Sequence, residues 1–434
     1  MSFTPRSPSR ALTAATLTAA ALVAATAVGP AGAAASTASG STASDRHDRH
    51  DRHDRHDRTL RVATFNASLN RSAAGALVSD LSTPDNAQAK AVAEVIQRTD
   101  PDLLLINEFD YVAGGVAVDL FRDNYLERSQ NGARPVDYPY AFVAPVNTGV
   151  PSGLDLDNSG SVGGPNDAFG FGFYPGQYGM AVFSKHPIDT RAVRTFQNLL
   201  WKDMPGALLP DDPSTPAPRD WYSPAELEEV RLSSKSHWDV PVRVGARTVH
   251  FLVSHPTPPV FDGPEDRNGT RNHDEIRLWA DYVSGRRSSS WITDDAGRSG
   301  GLRPGSSFVI AGDQNSDPYD GDSIPGAIQQ LLDLPRVQDR PVPSSKGAVE
   351  ASLVQGGVNL AHRSPSAQDT ADFSEPPGNL RADYVLPSVN LRIRDSAVFW
   401  KPSTHPLARL TTGMFPSDHR LVHVDVAVPG AGGR

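Results

Sequence analysis

The pattern of apolar and polar residues after residue 58 predicts many strands and few helices. Residues 60–66 alternate between apolar and polar and are rich in strand-favouring residues, which predicts a strand. Residues 103–106 form a continuous apolar run, which predicts a buried strand. Apolar residues recur at helical spacing in residues 89–96, with Asp85 as the predicted N-cap, and in residues 274–283. Further strands are predicted at residues 180–183, 240–244, 249–254, 308–311, 384–386 and 421–426. This order predicts two packed sheets with helices outside.

The pattern before residue 59 differs from that of the rest of the chain. Arg6 and Arg10 precede an apolar, Ala-rich run over residues 11–28 and the small residues 31–35, which is the layout of a signal peptide. The run is short and rich in Ala and Thr, which disfavours the alternative of a membrane anchor. Residues 1–35 are therefore a predicted signal peptide, and we expect a secreted mature chain without a transmembrane segment.

Residues 36–58 are predicted to form a disordered linker. A Ser/Thr/Gly/Ala stretch leads into four copies of Asp-Arg-His, which contain no apolar residue that could join a core. The four histidines could bind transition metals, but a solvated spacer is the preferred interpretation. The predicted catalytic domain spans residues 59–428, and residues 429–434 form a predicted flexible tail.

Composition and charge narrow the classes of function. The 434 residues contain 41 basic and 50 acidic side chains, a net charge of −9, which argues against a protein that coats nucleic acid through clustered cations. There is no cysteine, so disulfides, thiolate metal sites and a cysteine nucleophile are excluded. The 36 glycines and 37 prolines predict long loops.

Candidate chemistry stands at the ends of the predicted strands. Carboxylate and amide oxygens are ligands for Mg²⁺, Mn²⁺ or Ca²⁺, and histidines can move protons or neutralise an anion. Together they predict metal-assisted hydrolysis of a phosphoester. The residues concerned are Asn66, Glu108, His255, Asp313, Asn315, Asp383, Asp418 and His419.

These residues occur in six short motifs whose order is informative. The motifs are residues 65–66 (Phe-Asn), 107–108 (Asn-Glu), 254–255 (Ser-His), 312–315 (Gly-Asp-Gln-Asn), 383–385 (Asp-Tyr-Val) and 417–419 (Ser-Asp-His). The series resembles the endonuclease/exonuclease/phosphatase superfamily over about residues 60–426. The resemblance implies an α/β fold, a four-layer α/β/β/α sandwich of two mainly antiparallel sheets like that of deoxyribonuclease I, and a divalent-metal-dependent phosphoesterase.

The resemblance also implies a role for each residue. Glu108 resembles the principal ligand of a Mg²⁺ or Mn²⁺ ion, with Asn66 and Asp418 as further metal ligands. The other five residues resemble the family's catalytic group. Asp313 would orient or deprotonate the attacking water, Asn315 would hold a phosphoryl oxygen, His255 would contact the phosphate, and Asp383 would orient the terminal catalytic His419. Whether Asp313 or His419 takes the proton of water is left open.

Two long loops do not decide which substrate the protein binds. Residues 155–161 imitate the start of a calcium-binding loop, but Asn166 stands where a glutamate is expected, so an Asx- and Gly-rich turn is preferred to an additional Ca²⁺ site. Residues 256–273 should border the cleft, either as a rigid lid or in contact with substrate. We expect a phosphodiester substrate, either nucleic acid or a small or lipid diester. Phosphomonoester or sphingomyelin hydrolysis is the alternative, and a non-catalytic binding protein is disfavoured. No stable protein partner is implied.

Overall fold

A computed structural model describes residues 58–431. The predicted signal peptide and the predicted linker up to residue 57 lie outside the described residues. The strands in chain order are β1 (Arg58–Leu69), β2 (Leu103–Phe109), β3 (Tyr140–Phe142), β4 (Met180–Ser184), β5 (Arg194–Thr195), β6 (His237–Val244), β7 (Arg247–Ser254), β8 (Ser307–Asp313), β9 (Ala371–Asp372), β10 (Asn379–Leu380), β11 (Asp383–Pro387), β12 (Arg392–Val398) and β13 (Val422–Val428).

The strands form two large sheets and one small hairpin. The first sheet has the order β12-β13-β1-β2-β4-β3, and the second has the order β11-β8-β7-β6-β5. Each contains one parallel pair, β1 with β2 and β7 with β8, and every other pairing in the two sheets is antiparallel. Strands β9 and β10 pair separately. The mainly antiparallel character predicted for both sheets is confirmed.

Helices pack around the two sheets. They are α1 (Ala76–Leu81), α2 (Ala87–Thr99), α3 (Val116–Phe121), α4 (Pro224–Leu227), α5 (Arg267–Val283), α6 (Arg286–Ser289), α7 (Gln329–Leu332) and α8 (Lys346–Gln355). Within the described range, no helix combines the length and the apolar content that crossing a bilayer requires.

Three apolar clusters hold the layers together. Because successive side chains of a strand point to opposite faces, Leu105 of β2 packs between the sheets while its neighbour Leu104 packs under α2. On the far side, Trp279 of α5 packs against the outer face of the second sheet. Both faces of both sheets are thus buried, which explains the continuous apolar runs and confirms the four-layer α/β/β/α fold.

The boundaries of some elements differ from those predicted. The N-cap of α2 is Asn86, whose side chain accepts a hydrogen bond from the Ala89 N–H, so the prediction of Asp85 was wrong. Helix α5 begins seven residues before its predicted start, and the apolar spacing did not mark its first turns because buried residues there, such as Thr270 and Asn272, are polar. At the other end of the described residues, Ala431 is buried and the Pro429 carbonyl accepts a hydrogen bond from Arg247, while the flexible tail over residues 429–434 stays a prediction.

Candidate active site

Strands and the loops at their ends bring the predicted residues to one edge of the sandwich. Asn66 of β1 pairs in parallel register with Asn107 of β2, which places Glu108 beside it. In the second sheet, Asp383 at the start of β11 is the antiparallel partner of Asp313 at the end of β8. The β-sheet pairing therefore brings residues that are 41 and 70 positions apart in the sequence side by side.

Asn66 links the two sheets through its side chain. Its Nδ2 donates to Glu108 Oε1 at 3.0 Å and to Asp313 Oδ2 at 3.0 Å, while its Oδ1 accepts from the Ser68 N–H. The second oxygen of Glu108 accepts from Asn70 Nδ2 at 2.7 Å. Asn66 thus presents its amide nitrogen, not its oxygen, to both carboxylates, and it would have to turn over to ligate a cation.

Asp313 lies between two histidines. Its Oδ2 is 3.4 Å from His255 Nε2 and 3.6 Å from His419 Nε2, and its Oδ1 accepts from the Asn315 N–H at 2.9 Å. Asn315 has a left-handed backbone with φ of 51°, and its Nδ2 donates to the Pro256 carbonyl. These bonds fix the Asp313 carboxylate with one oxygen facing both imidazoles.

His419 is oriented by a chain of hydrogen bonds. Its Nδ1 is 2.8 Å from Asp383 Oδ2, and Thr370 Oγ1 donates to the same oxygen at 2.8 Å. Thr370 in turn accepts from the backbone N–H groups of Ala382 and Asp383. Because Asp383 engages Nδ1, the Nε2 atom of His419 faces Asp313.

Burial and the neighbouring charges separate the pKa values of the three central groups. Burial raises the pKa of Asp313, and Asp383 adds to this rise while His419 opposes it. Burial alone would lower the pKa of His419, but Asp383 and Asp313 outweigh it and raise that pKa. The pKa of His255 is lowered well below its usual value by burial, with Lys235 and His419 adding to the effect. At neutral pH, His419 is therefore a cation and His255 is neutral.

One cavity of about 780 Å³ gives access to this site. Its wall includes Glu108, His255, Asp313, Asn315, Asp418 and His419. The other two predicted residues stand behind the wall, where Asn66 contacts Glu108 and Asp313, and Asp383 contacts His419. The structure therefore brings all eight predicted residues together, and their individual roles stay predictions.

The donor set suits a divalent cation. Glu108 and Asp418 are half-buried carboxylates on the cavity wall, and carboxylates are the oxygen ligands that Mg²⁺ and Mn²⁺ prefer. Ligand atoms of Asp313, Asp383 and His419 lie within 4.8 Å of one another. Asp383 Oδ1 is buried and has no hydrogen-bond partner among the described residues, so this cluster has unused acceptor capacity.

A second acidic cluster lies in the loop that imitates a calcium site. Carboxylate oxygens of Asp155, Asp157 and Asp167 lie within 4.8 Å of one another. Asp155 accepts from the N–H groups of Ser159 and Gly160, and Asp167 accepts from three further backbone N–H groups of the loop. This is the bonding of an Asx-rich turn, and the additional Ca²⁺ site stays a prediction.

Sequence reasoning missed several residues that hold the site. Thr370 and Asn70 contact Asp383 and Glu108, but each lies in an irregular segment without a strand or helix pattern to mark it. Lys235, which lies on the wall of an adjoining cavity, precedes β6 in a polar segment that resembles an ordinary loop.

Comparison with known proteins identifies the family. Residues 63–419 match the model of the Endonuclease/Exonuclease/phosphatase family. The chain belongs to this family. It is accordingly a hydrolase of phosphoric esters, and members of the family depend on a divalent metal. No curated protein matches the sequence closely enough to count as a relative.

Several solved structures resemble this member of the family. An endonuclease/exonuclease/phosphatase of Beutenbergia cavernae is 17% identical, with 86% of this chain and 72% of that chain covered and a TM-score of 0.47. TDP2 of Caenorhabditis elegans is 15% identical, with coverages of 86% and 75% and a TM-score of 0.41. Sphingomyelinase C of Streptomyces griseocarneus is 13% identical, with coverages of 85% and 99% and a TM-score of 0.42.

Proposed function

We propose that this enzyme is a secreted, divalent-metal-dependent phosphodiesterase in which water attacks phosphorus. We choose a diester over a monoester because a second cavity of about 480 Å³ adjoins the catalytic cavity. The two cavities share Glu108 and His255. A phosphoryl group bound at this common wall could direct one ester substituent into each cavity. A phosphomonoester has a single substituent and would leave one cavity empty.

The site residues supply the proton transfers. Asp313, with its raised pKa, takes a proton from the attacking water as the new P–O bond forms. His419, held as a cation by Asp383, neutralises charge on the phosphoryl oxygens and gives its Nε2 proton to the leaving oxygen as the old P–O bond breaks. Neutral His255 faces Asp313 from the opposite side and contacts the phosphate.

A bound divalent cation would add charge neutralisation and lower the pKa of water. Glu108 and Asp418 are the residues that would hold it, because both carboxylates lie on the cavity wall. Action outside the cell is supported by Arg6, Arg10 and the apolar run over residues 11–28, the pattern of a cleaved signal peptide.

A panel of metals and substrates tests the proposal. The enzyme is stripped with EDTA and assayed with Mg²⁺, Mn²⁺ or Ca²⁺ on plasmid DNA, RNA, bis-p-nitrophenyl phosphate, p-nitrophenyl phosphate and sphingomyelin. We expect metal-dependent hydrolysis, with bis-p-nitrophenyl phosphate cleaved at least about 10-fold faster than p-nitrophenyl phosphate. The Asp313→Asn variant, which removes the proton acceptor, is the inactive control. Faster cleavage of the monoester would make the enzyme a phosphomonoesterase, and inactivity on every substrate would refute hydrolysis.

A further inference from the structure

The two cavities that meet at Glu108 and His255 have opposite charge. Among the described residues, the catalytic cavity is lined by five carboxylates, those of Glu108, Asp313, Asp317, Asp322 and Asp418, and by no lysine or arginine. The second cavity, which we call the Lys235 cavity, has Glu108 as its sole carboxylate within the same part of the chain. Its four cations are Arg231, Lys235, Arg267 and Arg271. The catalytic cavity is thus suited to a metal cation, and the Lys235 cavity is suited to an anionic group of the substrate.

Lys235 is the unusual member of this group. The residue is 6% exposed, and within the described residues its ammonium group forms no hydrogen bond or ion pair. The buried carboxylate of Glu275, which has the largest electrostatic effect on Lys235, accepts instead from the N–H and Oγ of Ser234 and from the Thr257 N–H. Burial lowers the pKa of Lys235, although Glu275 and Glu108 oppose the shift. An unpaired ammonium group on a largely buried side chain is unfavourable, and an anion in the cavity that it faces would relieve this.

Arg231 offers a second charge to the same space. Its Nη1 donates to Asn147 Oδ1 at 2.6 Å and its guanidinium lies 3.9 Å from the centroid of the Phe169 ring, but no carboxylate within the described range forms an ion pair with it. Arg267 and Arg271 are committed elsewhere, the first to Glu265 and the second to backbone carbonyls. Lys235 and Arg231 are therefore the cations left for a ligand.

The rest of the wall is suited to an apolar or aromatic body. Phe169, Tyr178 and Tyr222 line the cavity together with aliphatic residues. Its volume of about 480 Å³ lies in the range of about 300–1,000 Å³ that is usual for small-molecule pockets. That space accommodates one nucleotide-sized group.

We propose that the Lys235 cavity binds the substrate group that stays on the phosphate, and that this group carries its own negative charge on an apolar or aromatic body. The inference rests on the proposed phosphodiesterase function and narrows its substrate class. Small diesters with a second anionic group would be preferred to diesters with neutral or cationic substituents.

A matched pair of chromogenic diesters tests this preference. Thymidine 5′-(p-nitrophenyl phosphate) and its 3′-phosphorylated form differ by one anionic group. We expect kcat/KM to be about 10- to 100-fold higher for the 3′-phosphorylated form, the range given by one or two charge-assisted hydrogen bonds. The ester p-nitrophenylphosphocholine, in which the substituent that stays on the phosphate is cationic, should be the poorest of the three substrates.

Variants test whether the preference for the 3′-phosphorylated ester arises from the Lys235 cavity. Lys235→Met keeps the length of the side chain but removes the charge, so the ratio of the two kcat/KM values should fall to about 1, and Lys235→Arg should retain most of it. Lys90→Met is the control, because Lys90 is exposed on α2 and pairs with Asp85, and its ratio should equal that of the wild type. Equal rates for the two thymidine esters in the wild type, or an unchanged ratio in Lys235→Met, would overturn the proposal.

Binding provides a readout that does not need turnover. Calorimetric titration with thymidine 3′,5′-bisphosphate and thymidine 5′-phosphate should give about 10-fold tighter binding of the bisphosphate to wild type, and no such difference for Lys235→Met. If Lys235→Met does not fold, as judged by circular dichroism, Arg231→Gln replaces it with the same expected loss. Absence of hydrolysis with a retained bisphosphate preference would refute the phosphodiesterase function alone, whereas hydrolysis without any preference would refute the anionic subsite alone.

Discussion

At the scale of single residues, the site separates metal binding from proton transfer. Glu108 lies on the cavity wall beside Asn66 and Asn70, whereas His419 is fixed by Asp383. Glu108→Gln removes a charge and keeps the shape, so the metal should bind more weakly and added metal should restore part of the activity. His419→Ala should lower kcat by roughly 10²- to 10⁴-fold without rescue by metal. The measurement is kcat against metal concentration for both variants.

The same experiment includes Asp383 as an internal control. Asp383→Asn should also lower kcat, because the amide no longer keeps His419 charged. The double variant Asp383→Asn/His419→Ala should be little worse than His419→Ala, since the two side chains act as one unit. Recovery of His419→Ala by excess metal, or a wild-type metal dependence in Glu108→Gln, would show that the roles are assigned wrongly.

How far single residues could be predicted depends on where they stand in the chain. The eight polar residues could be found because each adjoins an apolar strand, and strand ends converge at a sheet edge. Lys235 and Thr370 could not, because both lie in loops whose course is set by distant packing. The orientation of the Asn66 amide was also beyond sequence reasoning, since it depends on the Ser68 N–H and on two carboxylates from different strands.

At the scale of elements, a buried histidine joins the second sheet to its outer helix. His237 begins β6, its Nδ1 is 2.6 Å from Ser233 Oγ, and its Nε2 donates to the Glu275 carbonyl of α5 at 2.9 Å. Burial lowers the pKa of His237 to about 3, against a usual value of 6.5. The unfolded chain therefore binds a proton below pH 6.5 that the folded chain does not bind.

The contribution of His237 to stability is fully present above pH 6.5 and is lost as the pH falls toward 3. The slope of the unfolding free energy against pH that is due to His237 approaches about 1.4 kcal/mol per pH unit well below pH 6.5. Between pH 7 and pH 5, the unfolding free energy of wild type should fall by about 2 kcal/mol more than that of His237→Gln, which has no group that titrates there. Urea unfolding at the two pH values measures the difference. Equal losses for the two proteins would contradict the prediction.

The predictions were correct for strands that are buried on both faces. They missed short strands at sheet edges and helical turns whose buried residues are polar. Strands such as β2 and β7 are buried on both faces, so their apolar runs are unmistakable. Strands β3 and β5 have three and two residues at sheet edges, which is too short for any periodicity to register. The first turns of α5 look polar because Asn272, Asp274 and Glu275 are buried in hydrogen bonds and not in an apolar core.

At the scale of the whole molecule, the order of six short motifs was enough to predict the architecture. Two sheets that pack face to face bring strand ends together whatever the length of the loops between them, so long loops such as residues 256–273 leave the site intact. The Lys235 cavity could not be predicted in this way, because its wall is built from several of those long loops.

The last prediction concerns Asn107, which connects the two sheets beneath the site. This fully buried residue of β2 accepts from Thr64 Oγ1 and from the Asp313 N–H, both at 3.2 Å, and its Nδ2 donates to the Ser254 carbonyl of β7 at 3.3 Å. Asn107→Leu has a similar volume but leaves three polar groups unpaired, so the unfolding free energy should fall by about 2–4 kcal/mol. Thr64→Val, which breaks one of these bonds, should cost about 1 kcal/mol. Urea unfolding of the two variants checks this order. A loss in Asn107→Leu no larger than that in Thr64→Val would mean that the sheets are held by apolar packing alone.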